Sequence, residues 1–177
     1  MRVELWGTRG SVASAGPDTV EYGGDTSCVQ VTGPAGEVII LDAGSGIRPV
    51  SAAVADATRI DILLTHLHMD HIQGLGFFAP IFDPAVETHV WGPSSTTLGL
   101  TERLGRYLSP PLFPVRLRDL PRTTIHDVKP GSFEVGSVLV TADFVSHPGI
   151  TLGFRLETDA SSLAYLPDHE PALGSID

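Results

Sequence analysis

Glycine or proline interrupts this 177-residue chain every few positions, 19 and 14 times respectively, and the stretches between are short runs rich in valine, isoleucine and leucine. That punctuation confines the backbone to short elements joined by tight turns, because glycine supplies positive φ and proline continues neither a helix nor a central strand. The apolar runs at 38–41 and 60–64 have strand length, far below the roughly 18 to 20 residues that a membrane-spanning helix needs. Alternating or apolar patterns place strands over about 3–7, 28–32, 38–42, 60–65, 87–91, 124–128, 138–146, 152–157 and 162–166. Helices are expected over 47–57, after the turn Gly44-Ser45-Gly46, and over 95–107, with Ser94 or Ser95 as cap and Pro110-Pro111 as the stop. A third, short helix should begin near Asp70 and run toward Phe78. Strands interleaved with helices, followed by a hairpin-rich tail, read as an α/β fold of packed sheets in one domain, 1–177, without repeat or linker.

Charge narrows the partners. The formal net charge is −10, and the 11 basic residues, ten of them arginine, are dispersed. Extended nucleic acid is a poor partner for such a surface, because neutralising phosphates needs a basic stripe. A small anionic substrate remains compatible, since bound divalent cations reverse the local field. The opening Met1-Arg2-Val3-Glu4-Leu5-Trp6 alternates like a strand and unlike a secretory leader. Cys28 is the lone cysteine and can form no internal disulfide, so the cytoplasm is the expected compartment, with no membrane segment. It lies beside Val29 and Val31, which reads as a buried thiol and not a nucleophile.

The chemistry concentrates in Thr65-His66-Leu67-His68-Met69-Asp70-His71. A buried strand delivers the chain into this loop, where His66 and His68, two apart in extended backbone, point the same way and can share one ion. Asp70 and His71 fall where the next helix begins, so they turn from the first pair and can face a neighbouring ion. Imidazole and carboxylate together form a ligand set for zinc, with iron or manganese as alternatives. His89 and His126 have no such company and read as surface or strand residues. Arg103, Arg106, Arg116, Arg118 and Arg122 could approach a phosphate, although a solvated face is the commoner use of such arginines.

The histidine segment resembles the HxHxDH signature of the metallo-β-lactamase superfamily. Trp6-Gly7-Thr8-Arg9-Gly10-Ser11, Tyr22-Gly23-Gly24-Asp25-Thr26-Ser27-Cys28 and Leu41-Asp42-Ala43-Gly44-Ser45-Gly46 are similar to the N-terminal half of its phosphodiesterase and ribonuclease Z-like branch. Ser109-Pro110-Pro111-Leu112-Phe113-Pro114-Val115, His147-Pro148-Gly149 and Ala164-Tyr165-Leu166-Pro167-Asp168-His169-Glu170-Pro171 match the same branch in the same order. The resemblance implies an αββα sandwich holding two divalent ions. His66, His68 and His147 would bind the first, Asp70 and His71 the second, and Asp168 would bridge them. Asp42 would accept a hydrogen bond that orients the ligand loop.

Two departures accompany it. Asp25 stands where the branch has asparagine, which puts an amide-donor role in doubt. The superfamily also supplies a last histidine ligand on a strand well after the bridging aspartate, and only His169 follows Asp168. The chain is therefore expected to lack a closing strand–helix unit, with weaker occupancy of the second ion and with association or partial disorder near 171–177. A homodimer is allowed for.

The implied reaction is hydrolysis in which a water between two ions acts as nucleophile, with Asp70 and Asp168 as the catalytic carboxylates. A small phosphodiester such as a cyclic nucleotide is the expected substrate. A thioester or lactone hydrolase and a non-catalytic metal-binding regulatory domain are the competing expectations.

Overall fold

The computed structural model describes residues 1–170, and the expectation about 171–177 lies outside them. Strands β1 (Arg2–Gly7), β2 (Cys28–Thr32), β3 (Val38–Leu41), β4 (Arg59–Leu63), β5 (Glu87–Pro93) and β6 (Thr123–Val128) lie in that order in one sheet. The first three pair antiparallel, and β3 through β6 run parallel. Parallel neighbours need crossovers. Those crossovers carry α1 (Ile47–Ala53), α2 (Met69–Ile72) with two 3-10 turns, and α3 (Leu100–Tyr107). A second, antiparallel sheet holds β7 (Gly131–Val135), β8 (Val138–Phe144), β9 (Leu152–Thr158) and β10 (Ser161–Tyr165), in the order β10-β9-β8-β7.

The uninterrupted apolar runs of β3 and β4 follow from burial on both faces. Ile40, Ile60 and Ile62 point to α1 and α3, packing with Ile47, Val50, Leu100 and Leu104. Ile39, Leu41 and Leu63 point the other way, against Val138, Val140, Leu152 and Phe154 of the second sheet. The second sheet alternates instead, as β8 shows: Val138, Val140 and Ala142 are buried while Leu139, Asp143 and Phe144 are exposed. The layers are thus helix, sheet, sheet. No described helix is long and apolar enough to cross a membrane.

Several boundaries differ from the sequence reading, each for a local reason. β3 stops at Leu41 because Asp42 takes φ 59°, a left-handed conformation that ends an extended run. α1 ends at Ala53, and the chain turns through an Ala57 N to Val54 O bond before entering β4. α3 begins at Leu100, not near Ser95, because Ser94 N is still tied to Val128 O at 2.7 Å, prolonging the strand. Its free amides are served from elsewhere: Asp127 Oδ1 accepts from Leu100 N at 3.0 Å, and Glu102 Oε2 from Gly99 N at 3.2 Å. The helix expected from Asp70 toward Phe78 closes at Ile72 and continues as 3-10 turns around Gly74, Gly76 and Pro80. β7 was not expected at all.

Candidate metal centre

The parallel strands β3 and β4 end side by side, and the carboxyl ends of such strands are where open α/β sheets place their sites. Asp42 follows β3. Its left-handed turn sends a fully buried carboxylate across to the loop after β4. There Oδ1 accepts from Thr65 N at 2.8 Å and from Thr65 Oγ1 at 3.0 Å, while Oδ2 lies 2.8 Å from His71 Nδ1. Tyr165 OH donates to the same Oδ2 at 3.1 Å from the second sheet. Asp42 caps no helix; it ties three segments together.

The loop behind it is packed without slack. A Cβ on Gly44 would sit 2.3 Å from Asp70 O and 2.4 Å from Thr26 Oγ1, so only glycine lets the 42–46 turn lie under α2. Ala43 N bonds His71 O at 2.8 Å and Gly74 N bonds Ala43 O at 2.9 Å, which fixes α2 against that turn.

On this frame, the ring nitrogens converge. His66 Nε2 lies 2.9 Å from His68 Nδ1, and His147 Nε2 lies 3.2 Å from the same His68 atom. His147 comes from the loop after β8. Asp168, beyond β10 at φ 53°, brings Oδ2 to 3.1 Å from His71 Nε2, 3.6 Å from His66 Nε2 and 3.8 Å from His147 Nε2. Asp70 Oδ2 stands 3.6 Å from His71 Nε2. The donors fall into two groups, His66, His68, His147 and Asp168 in one and Asp70, His71 and Asp168 in the other, each within 4.8 Å mutually. Asp168 belongs to both.

This donor set fits a cation on its own chemistry. His71 gives its Nδ1 proton to Asp42 and His147 gives its own to Glu170 Oε1, 3.0 Å away, so the Nε2 lone pairs of both face the cluster. A bare imidazole nitrogen 3.1 Å from a carboxylate oxygen is repulsive unless a proton or metal ion sits between them. Burial, and after it His71, His68 and His147, push His66 down to about 3, leaving it in the neutral, ligating form. For His71, burial works in the same downward direction but is outweighed by the Asp42 hydrogen bond and by the charges of Asp42, Asp168 and Asp70, which raise it.

All seven positions singled out in sequence therefore meet here. Two neighbours were missed. Ser11 N donates to Asp70 Oδ2 at 2.7 Å, which gives the Gly7-Thr8-Arg9-Gly10-Ser11 turn a task, and Glu170 orients His147. The signal for Glu170 was its place two residues after Asp168. His169 is exposed and joins neither group among the described residues. Asp25 acts as an acceptor, taking a 2.6 Å bond from Ser45 Oγ. Burial pushes the Cys28 thiol well up, with Asp42 and Asp25 adding to the effect, in keeping with an inert core thiol. His89 and His126 are strand residues, but not unconnected ones: they face each other at 2.9 Å, with Glu87 2.8 Å from the far side of His89, away from the cluster.

Comparison with known proteins agrees with this geometry. The family model described as "Beta-lactamase superfamily domain" matches residues 37–175. An uncharacterized protein of Mycobacterium tuberculosis is 28% identical over 95% of this chain and 60% of its own length. A ribonuclease Z of a Mycobacterium species is 27% identical over 97% of this chain and 62% of its own. The chain thus spans about 60% of the length of the curated relatives it matches. The crystal structure of the metallo-β-lactamase fold protein YhfI from Bacillus subtilis superposes with a TM-score of 0.68 at 16% identity, over 92% of this chain and 60% of that one. With the fold, the ordered ligand-type residues and the family match in agreement, the chain belongs to the metallo-β-lactamase superfamily.

Proposed function

We propose that this chain carries the catalytic centre of a metal-dependent hydrolase acting on a small phosphodiester, such as a cyclic nucleotide. The observation that carries the reading is the sharing of Asp168 between two donor groups a few ångströms apart. His66, His68, His147 and Asp168 are assigned to one divalent ion, and Asp70, His71 and Asp168 to a second, with zinc the best match to imidazole and carboxylate. Bound there, the ions supply a water nucleophile at neutral pH and offset charge on the phosphoryl oxygens.

The chain's own residues do the rest. Asp42 and Glu170 hold the Nδ1 protons of His71 and His147, so that both Nε2 atoms stay directed inward. Ser11 N fixes the rotamer of Asp70. The Asp168 side chain is 31% exposed, and its Oδ1, not engaged with His71, is the atom we assign to orient the attacking water and take its proton. The phosphodiester class is favoured by relatives named ribonuclease Z. A small substrate is favoured by the charge of −10 without a basic run. A cytoplasmic location is part of the same proposal and rests on the buried, unpaired Cys28.

Metal analysis combined with turnover of bis-p-nitrophenyl phosphate and of cyclic nucleotides tests the reading. Wild-type protein should hold transition metal and cleave the diester. Asp168→Ala should abolish turnover with the far-UV circular dichroism retained, and His68→Ala should lose most of the first ion. Wild-type metal content in His68→Ala would reject the ligand assignment. Metal binding without any diester cleavage would favour the regulatory-domain reading.

A further inference from the structure

Beside the donor cluster lies a cleft of about 280 Å³ walled by His66, His68, Leu67, Pro148, Ile150 and Arg103. Arg103 reaches it from the first turn of α3. Its side chain is only 17% exposed, yet its donors are largely unspent. Nη2 donates to Pro93 O and lies 3.8 Å from Asp127 Oδ1, while Nε–H is buried with no acceptor among the described residues. A guanidinium has five N–H donors in a rigid fork that matches the oxygens of a phosphoryl group. Burying one of them unmatched is costly, and it leaves the guanidinium short of partners at the wall of the cleft. The other arginines considered from sequence are less apt: Arg106 and Arg118 are exposed, and Arg116 and Arg118 line a separate hollow beside Leu108.

We propose that Arg103 is the phosphoryl-recognition residue of this cleft, gripping a non-bridging oxygen of a small phosphate ester whose organic substituent lies against Leu67, Pro148 and Ile150. The inference rests on the phosphodiester reading above and goes further, naming the side chain that selects an anionic over a neutral ester. The cleft's size suits one phosphoryl group with a compact substituent. The side chains of Leu67, Pro148 and Ile150 offer no donors, so among the cleft's side chains outside the assigned metal ligands the one that can orient the anion is Arg103.

The test uses inorganic phosphate as the probe on the metal-loaded protein. In nitrogen-15 spectra the Arg103 Nε–H signal, assigned by its loss in Arg103→Lys, should shift saturably as phosphate is added. An unmoved signal overturns the proposal, and this measurement needs only wild-type protein for the titration. Arg103→Gln should weaken phosphate binding at least about tenfold and raise KM for bis-p-nitrophenyl phosphate by a similar factor. Metal content and thermal midpoint should stay as in wild type. Arg103→Lys should recover part of the affinity, because it restores the charge without the fork. Wild-type phosphate affinity in Arg103→Gln would overturn the proposal, as would a loss of metal that accounts for the whole loss of phosphate binding. Asp127→Asn, which removes the competing charge while leaving an amide oxygen that can still accept from Leu100 N, should bind phosphate as tightly as wild type or more so. Phosphate binding through Arg103 without diester turnover would sink the phosphodiesterase reading and spare this one. Diester turnover with KM indifferent to Arg103→Gln would do the reverse.

Discussion

Asp42 ties together the loop after β4, the start of α2 and the second sheet. Its carboxylate is fully buried, sits at φ 59° and serves Thr65, His71 and Tyr165 at once. Asp42→Asn separates those tasks, because asparagine tolerates the left-handed backbone and keeps the shape but turns one acceptor into a donor. Whichever oxygen becomes NH₂, a bond to Thr65 or to His71 is lost. Metal affinity should fall about 10- to 100-fold, the range for losing a carboxylate that orients a ligand histidine. Circular dichroism should stay near wild type, and chelator competition measures the change. Unaltered affinity would show that His71 needs no such support. At this scale the sequence was legible where ligand-type residues crowd together. His66, His68, Asp70 and His71 stood out from spacing alone, whereas His147 and Asp168 were reached only through resemblance. Ser11 escaped because its donor is a backbone N–H, which no residue type marks, and its partner lies 59 residues away; Glu170 lies 23 residues from His147, and its place two after Asp168 was the one local hint.

Among elements, strands with a buried face were legible and helix limits were not. β3 and β4 declared themselves by continuous apolar runs, since they are covered on both sides. β7 was missed because Gly131-Ser132-Phe133-Glu134-Val135 fully buries only Val135, so little apolar pattern survives. The start of α3 misled for a different reason: its amides are capped by Asp127 on β6, which no serine count near residue 95 could reveal. The turn between β3 and α1 offers the cleanest test at this scale. Gly44→Ala would drive a methyl into Asp70 O, Thr26 Oγ1 and Ser27 O, the last at 2.7 Å, and two of these are backbone atoms that cannot swing aside. The turn and α2 must then part, at a cost of about 1–3 kcal/mol as for other overpacked sites. Urea unfolding should show that loss, and metal affinity should fall with it because α2 carries Asp70 and His71. A stable variant with weak metal binding would mean that α2 had shifted without strain.

The two sheets are joined by polar clasps at separate places as well as by their shared apolar layer. At one of them Glu37, between β2 and β3, reaches Ser137 in the β7–β8 turn, accepting from Ser137 N at 2.7 Å and Ser137 Oγ at 2.6 Å, with Ala35 N at 3.0 Å on the other oxygen. Burial works against the charge, but these hydrogen bonds outweigh it and hold the carboxyl at about 2. The folded state therefore binds this proton less readily than the unfolded chain, whose carboxyl titrates near the ordinary value of 4.5. The stabilisation is complete above that value and drains away as pH falls toward about 2. Glu37→Ala should cost about 1–2 kcal/mol near neutral pH, and its gap from wild type should narrow in acid, as read from urea midpoints. A gap independent of pH would remove the carboxylate charge from the account.

The second clasp is the donor cluster. His66, His68, Asp70 and His71 follow a strand of the first sheet, while His147 and Asp168 come from loops of the second, so an ion held there would tie the layers together. A metal that binds only the folded chain stabilises it by RT ln(1 + [L]/Kd), about 4 kcal/mol at a thousandfold excess over Kd. Chelation should accordingly lower the thermal midpoint of the wild-type protein by several degrees. The same treatment should move Asp168→Ala much less, because that variant lacks the carboxylate common to both donor groups and starts with fewer ions. If chelation shifted the two proteins equally, the ions would bind within the first layer alone, and His147 and Asp168 would have to be read as groups that face the substrate and hold no metal.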